Sequence, residues 1–188
     1  EVSGLLKAAA VSLAKIAGDL RLLSSGPLGG WGEIMLPRLQ TGSSIMPGKV
    51  NPVIPEMVTQ AAFQVMGNDQ VIALAAASGQ LELNAFLPLI AHNLLQSLEI
   101  LTNAARLFAE KCVRGIEADG ARCRRWLEES NGFVTALAPH LGYDRAAGLA
   151  ARAAREGLPL QRLVVESGLM AEEELEAILA PGELTSPG

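Results

Sequence analysis

The sequence predicts an all-α protein, part of a long-helix bundle followed by a small C-terminal helical domain. Three observations carry that expectation. Hydrophobic residues fill 49% of the 188 positions but aromatic ones only 4%, with alanine and leucine abundant, as in helix packed on helix. Apolar residues recur at helical period through three long stretches before residue 115. Beyond it the rhythm changes to short helical patterns broken by glycine and proline. We therefore expect one domain over 1–115, an incomplete helical bundle, and a second over 116–188.

Residues 2 to about 24 read as the first helix. Leu6, Leu13, Leu20 and Leu23, with Val2 and Ile16 between them, keep an apolar stripe, and Ser24-Ser25-Gly26-Pro27 stops it. The chain begins at Glu1, not Met, with the helical pattern already running, so we expect a fragment or processed product of a longer protein. The tract from Gly26 to Thr41 holds four glycines and two prolines and should be irregular. A second helix is expected from Pro55 to about Ser78, with Val58, Ala62, Val65, Ile72 and Ala76 on one side and Gly79 ending it.

The third helix should run from Pro88 to about Arg114. Leu94, Leu98, Leu101, Ala105, Phe108 and Cys112 recur at spacings of 4, 3, 4, 3 and 4, a heptad seam. At 1.5 Å per residue such a helix is about 40 Å long. Three helices of that kind cannot enclose a core by themselves, so they should pack on further helices or on other subunits. Short helical patterns follow near 119–130, 131–138, 143–156, 159–167 and 171–180, punctuated by Gly132, Pro139, Gly142, Gly157 and Gly168. The last has Ala171 where a capping Ser or Thr would stand, a loss of about 1 kcal/mol. The acids at 172–174 partly offset it.

A net charge of −5 argues against a general nucleic-acid or membrane-surface role. Arg122, Arg124 and Arg125 cluster, but as a solvated helix face. No run of 18 apolar residues occurs, and no signal-peptide pattern opens the chain. Cys112 and Cys123 lie outside any C-x-x-C pattern and only two histidines are present, so neither a metal site nor a disulfide framework is expected. A reducing cytoplasm fits.

The stretch from Gly42 to Glu56, GSSIMPGKVNPVIPE, concentrates the chemistry. Gly42 and Gly48 permit tight turning, while Pro47, Pro52 and Pro55 restrict the remaining freedom. Pro55 and Glu56 suit the opening of a helix. A phosphate-binding loop is excluded: five residues, not four, separate Gly42 from Gly48, and Val50 follows Lys49 where Ser or Thr is needed. By composition alone the stretch could equally be a surface linker.

Residue for residue, GSSIMPGKVNP resembles the signature of the aspartase/fumarase superfamily of lyases, and the likeness continues on both sides through VTAL-x-PHLGYDRAA near the C-terminus. The resemblance implies a long helical bundle that four subunits pool into a tetramer core, a small dicarboxylate substrate and no organic cofactor. It implies that Ser43 takes the proton from the carbon beside the departing group. A serine does so only if its alkoxide is stabilised, which the Gly42 and Ser44 amides and Lys49 could do; without the resemblance Ser43 reads as a turn serine. Lys49 and Asn51 stand two apart in an extended piece, which points both to one face. Cation plus amide suits a substrate carboxylate whose charge grows in the transition state, and the family uses the matching positions so. Glu56 matches an acid that orients a histidine from another segment, although helix-dipole complementarity alone would also explain it. The expected catalytic residues are thus Ser43 and Glu56, and the expected substrate-binding residues Ser44, Lys49 and Asn51.

The family also shares Gly67-Asn68-Asp69, read here as a kink or packing site, and commonly has an arginine where this chain has Leu28. His92 and His140 are poor catalytic candidates. The stretches KVNPVIPEMV, GQLELN and the acidic C-terminus resemble the aspartate ammonia-lyase branch more than the fumarase branch. A fumarase is the first alternative, and a catalytically silent structural protein on the same fold the second.

Overall fold

The computed structural model describes residues 1–26, 28–40, 45–180 and 182. They form two compact units, Glu1–Asp119 and Gly120–Gly188. Helices dominate both, as the composition predicts, and the only sheet among the described residues has two short strands.

Unit 1 is built on three long helices, α1 (Val2–Leu23), α2 (Val53–Ala77) and α3 (Leu87–Lys111). The middle one, α2, packs against both others. Small side chains make the close approach possible: Ala10, Ala17, Ala62 and Ala104 are fully or almost fully buried, with Val58, Val65, Leu101 and Phe108 filling the spaces between.

Asn68 and Asp69 show why α2 tolerates polar residues in its interior. The helix runs unbroken through Gly67, so the tract packs without ending the helix. Successive residues point about 100° apart on a helix. Asn68 therefore faces α3 and Asp69 faces α1, each with partners of its own. Asp69 accepts from the Ser3 hydroxyl at 2.6 Å and from Lys7 Nζ at 2.7 Å. The Lys7 ammonium, then the Ser3 hydroxyl, hold its carboxyl below the usual carboxylate range.

The expected α3 seam is corrected at Leu94, Leu98 and Ala105. The buried line runs Asn93, Ser97, Leu101, Ala104, Phe108 and Cys112, while Leu98 is 40% exposed and Leu94 and Ala105 only half-buried. Asn68 is the reason: a buried amide must be hydrogen-bonded, so α3 turns its polar Asn93–Ser97 face inward and leaves Leu95 and Leu98 outward.

Asn84 organises the link from α2 to α3. Its amide donates to Ala75 O at 3.0 Å, capping the end of α2, and its oxygen accepts from the Phe86 N–H at 2.8 Å, just before α3. Ahead of it, Gln80 and Leu83 exchange backbone bonds around Leu81 and Glu82, both at positive φ (47° and 61°). That is the backbone of a hairpin turn that ordinarily selects Asn-Gly. Leu81 stands wholly exposed at its tip.

Sequence reading missed the sheet. Strand β1 (Ile34–Met35) pairs antiparallel with β2 (Glu117–Ala118), Ile34 opposite Ala118 and Met35 opposite Glu117, and the Asp119 N–H continues to Glu33 O at 2.9 Å. The pairing keeps residues up to Asp119 with unit 1. A side chain at Gly115 would lie 2.6 Å from the Pro37 ring, so the return of the chain to β1 requires glycine there.

Unit 2 comprises α4 (Gly120–Glu129), α5 (Val134–Leu141), α6 (Tyr143–Glu156), α7 (Leu160–Glu166) and α8 (Glu172–Ile178). Leu137, Leu149, Leu160, Leu163, Val164 and Leu175 form the centre of its core. Pro139 does not end α5 as expected; the helix continues to Leu141, and Gly142 at φ +82° ends it. Gly157 closes α6 in the left-handed conformation. Ala171 offers α8 no side-chain cap, and three acids fill the first turn.

Candidate active-site loop

The loop leading into α2 owes its shape to Met46-Pro47-Gly48-Lys49. The Lys49 N–H donates to Met46 O at 3.1 Å, with proline at the second position and glycine at φ +82° at the third. Those are the demands of a type II turn, and they explain the local sequence. Lys49 and Asn51 follow it, both exposed. The Asn51 carbonyl accepts from the Val53 N–H at 2.9 Å and thereby feeds the chain into α2, which starts two residues earlier than Pro55. Pro55 is buried in the first turn and Glu56, beside it, is half-buried. Ser43 and Ser44 lie outside the described residues.

Glu56 meets a partner that sequence reasoning missed. Arg21, in the last turn of α1, holds its guanidinium Nη2 3.8 Å from Glu56 Oε1. The signal available was only a cation at a helix end, and its pairing depends on how α1 and α2 pack. On the described residues, then, the structure brings together Lys49 and Asn51 after one turn, and Glu56 with Arg21. His92 and His140 are exposed on α3 and α5. No cluster of metal-ligating side chains occurs among the described residues, and no described helix is long and apolar enough to cross a membrane.

A cavity of about 960 Å³ lies elsewhere, within unit 2. Leu127, Phe133, Val165, Leu175 and Leu179 line it, and the Arg162–Glu166 pair, 2.7 Å apart, stands at its wall. None of the expected site residues lines it, so its size says nothing about the loop chemistry.

Comparison with known proteins agrees with the loop. A family model described as Lyase matches residues 1–67, and one described as Fumarase C C-terminus matches residues 133–186. Over 188 residues, all of this chain, it is 50% identical to an aspartate ammonia-lyase of Bacillus subtilis, 40% of which is covered. It is 49% identical over 184 residues to a class II fumarate hydratase of Halalkalibacterium halodurans, covering 98% of this chain and 40% of that one. The solved fumarate lyase:delta crystallin of Brucella melitensis matches with a TM-score of 0.92 at 52% identity, over 98% of this chain and 40% of that one. The long packed helices and these matches agree on a helical protein of a lyase family. The chain belongs to the aspartase/fumarase superfamily and resembles the C-terminal part of the aspartate ammonia-lyases. It spans about 40% of the length of the curated relatives it matches.

Proposed function

We propose that this chain is the C-terminal part of an aspartate ammonia-lyase, which eliminates ammonia from L-aspartate to give fumarate. The observation that carries the reading is the eleven-residue stretch Gly42–Pro52, standing in a chain half identical to such an enzyme. In this reading Ser43 removes the proton from the carbon beside the amine-bearing one, supported by the Gly42 and Ser44 amides. Negative charge then spreads into the adjacent carboxylate as an enolate-like dianion. Lys49 and Asn51, exposed directly after the type II turn, receive that growing charge. Glu56 orients a histidine supplied by another segment. Residues 1–115 would hold the last helices of a bundle shared by four subunits, with Leu95 and Leu98 covered there. The setting would be cytoplasmic.

A class II fumarate hydratase is the second reading, favoured by the 49% identity to the Halalkalibacterium enzyme, which barely differs from the ammonia-lyase value. One experiment separates the two. The full-length protein, expected to scatter light as a homotetramer, should raise fumarate absorbance with L-aspartate and leave malate unchanged. Turnover of malate alone would assign the hydratase, and turnover of neither would leave the silent structural protein. The 188-residue chain by itself should turn over neither substrate, because the histidine and half the carboxylate contacts are not in it. Activity from a preparation of verified 188-residue mass would overturn that part.

A further inference from the structure

We infer that Arg21 is a positioning residue for the active-site carboxylate of Glu56, an inference that rests on the reading of Glu56 given above. The pair is the last of a series of contacts between the antiparallel helices α1 and α2. Lys7 meets Asp69, Ala10 packs with Ala62 and Val65, Ala17 packs with Val58, and Arg21 then meets Glu56. The first three contacts are buried or hydrogen-bonded, so helix packing sets where Arg21 stands relative to Glu56. Each charge also suits its own helix: a cation in the last turn of α1, an acid in the first turn of α2.

The contact itself is a weak stabiliser. At 3.8 Å it is an ion pair without a hydrogen bond, and its side chains are 45% and 35% exposed, so its contribution to folding is small. Its geometry suits orientation instead. Arg21 stands near Oε1 without hydrogen-bonding it, so the carboxylate keeps its acceptor capacity for a further donor. Other cations at this end include Lys49, in the loop itself, Lys111, which borders the small gap beneath Pro52 and Pro55, and Arg38, between Pro37 and Leu39 of the same gap. None of these is paired with Glu56 in the structure, and among the described residues Arg21 alone reaches its carboxylate.

The test is a double-mutant cycle in the full-length enzyme with L-aspartate. Arg21→Ala should lower kcat about tenfold, equivalent to about 1.4 kcal/mol, with KM changed less than about twofold. Arg21→Lys, which keeps the charge, should recover most of the loss. Glu56→Gln should lower kcat on its own, and adding Arg21→Ala to it should cost nothing further, because the arginine acts through a carboxylate no longer there. Independent, multiplying effects would overturn the inference while leaving the role of Glu56 intact. A Glu56→Gln enzyme of wild-type kcat would remove both. Thermal midpoints of the four proteins within a few degrees of one another should accompany the expected result. A kcat loss that instead tracks a falling midpoint, and that Arg21→Lys does not recover, would make Arg21 merely structural.

Discussion

Replacing Ser43 by alanine in the full-length enzyme should lower kcat by about 10² to 10⁴, the range for loss of a positioned base. Affinity for an unreactive dicarboxylate analogue should stay nearly intact. The asymmetry follows from where a base acts: it takes its proton in the transition state and adds little to ground-state binding. Lys49→Ala is the contrast. Its ammonium would touch a carboxylate already charged in the substrate, so both binding and rate should fall, binding by roughly 1.5–3 kcal/mol for a charge-assisted contact. The two variants therefore separate in a plot of kcat against analogue Kd. A Ser43→Ala enzyme that kept most of its kcat would take serine out of the mechanism. The base would then have to come from residues beyond this chain.

What could be read from the sequence divides along a physical line. Elements whose signal is local were legible. The first helix and the helix over 143–156 have strong periodicity and clear stops at Ser24 and Gly157, and they appear as α1 and α6 within a residue. The turn in the candidate active-site stretch was legible because turn chemistry is written in residue type: Pro47-Gly48 can adopt few turns, and the type II turn is the one observed. Elements whose signal lies in a partner were not legible. Strands of two residues, such as β1 and β2, show no alternation, and their pairing depends on chain about 80 residues away. Arg21 looked like any basic residue near a helix end until α2 placed Glu56 beside it. Periodicity selected Leu94 and Leu98 as the α3 seam because they are apolar. Polar partners on another helix are invisible to that reasoning, and here they decided which face turned inward.

That decision rests on Asn68, and it gives the largest expected effect on stability. Its Nδ2 donates to Gln96 Oε1 and Ser97 Oγ, each at 3.0 Å, and lies 3.4 Å from Asn93 O. Its Oδ1 accepts from Gln64 at 2.9 Å. The residue is 2% exposed. Asn68→Asp keeps the shape but replaces the donor with an oxygen that faces three acceptors, and it buries a charge among partners none of which is a cation. Breaking a buried polar arrangement in this way costs on the order of 3 kcal/mol. Asn68→Ala loses the same bonds without the charge and leaves a small cavity, at roughly 2 kcal/mol. Asn68→Leu fills the space and should cost least, about 1 kcal/mol, because Gln64 is exposed and Gln96 half-buried, so both can turn to water. Ser97 can still donate to Asn93 O at 2.7 Å. The expected thermal midpoints therefore fall in order from wild type through Asn68→Leu and Asn68→Ala to Asn68→Asp. If the Asn68→Asp protein melted with the wild type, the amide's donor would not be what holds α3 in place, and the inward turn of Asn93 and Ser97 would need another cause.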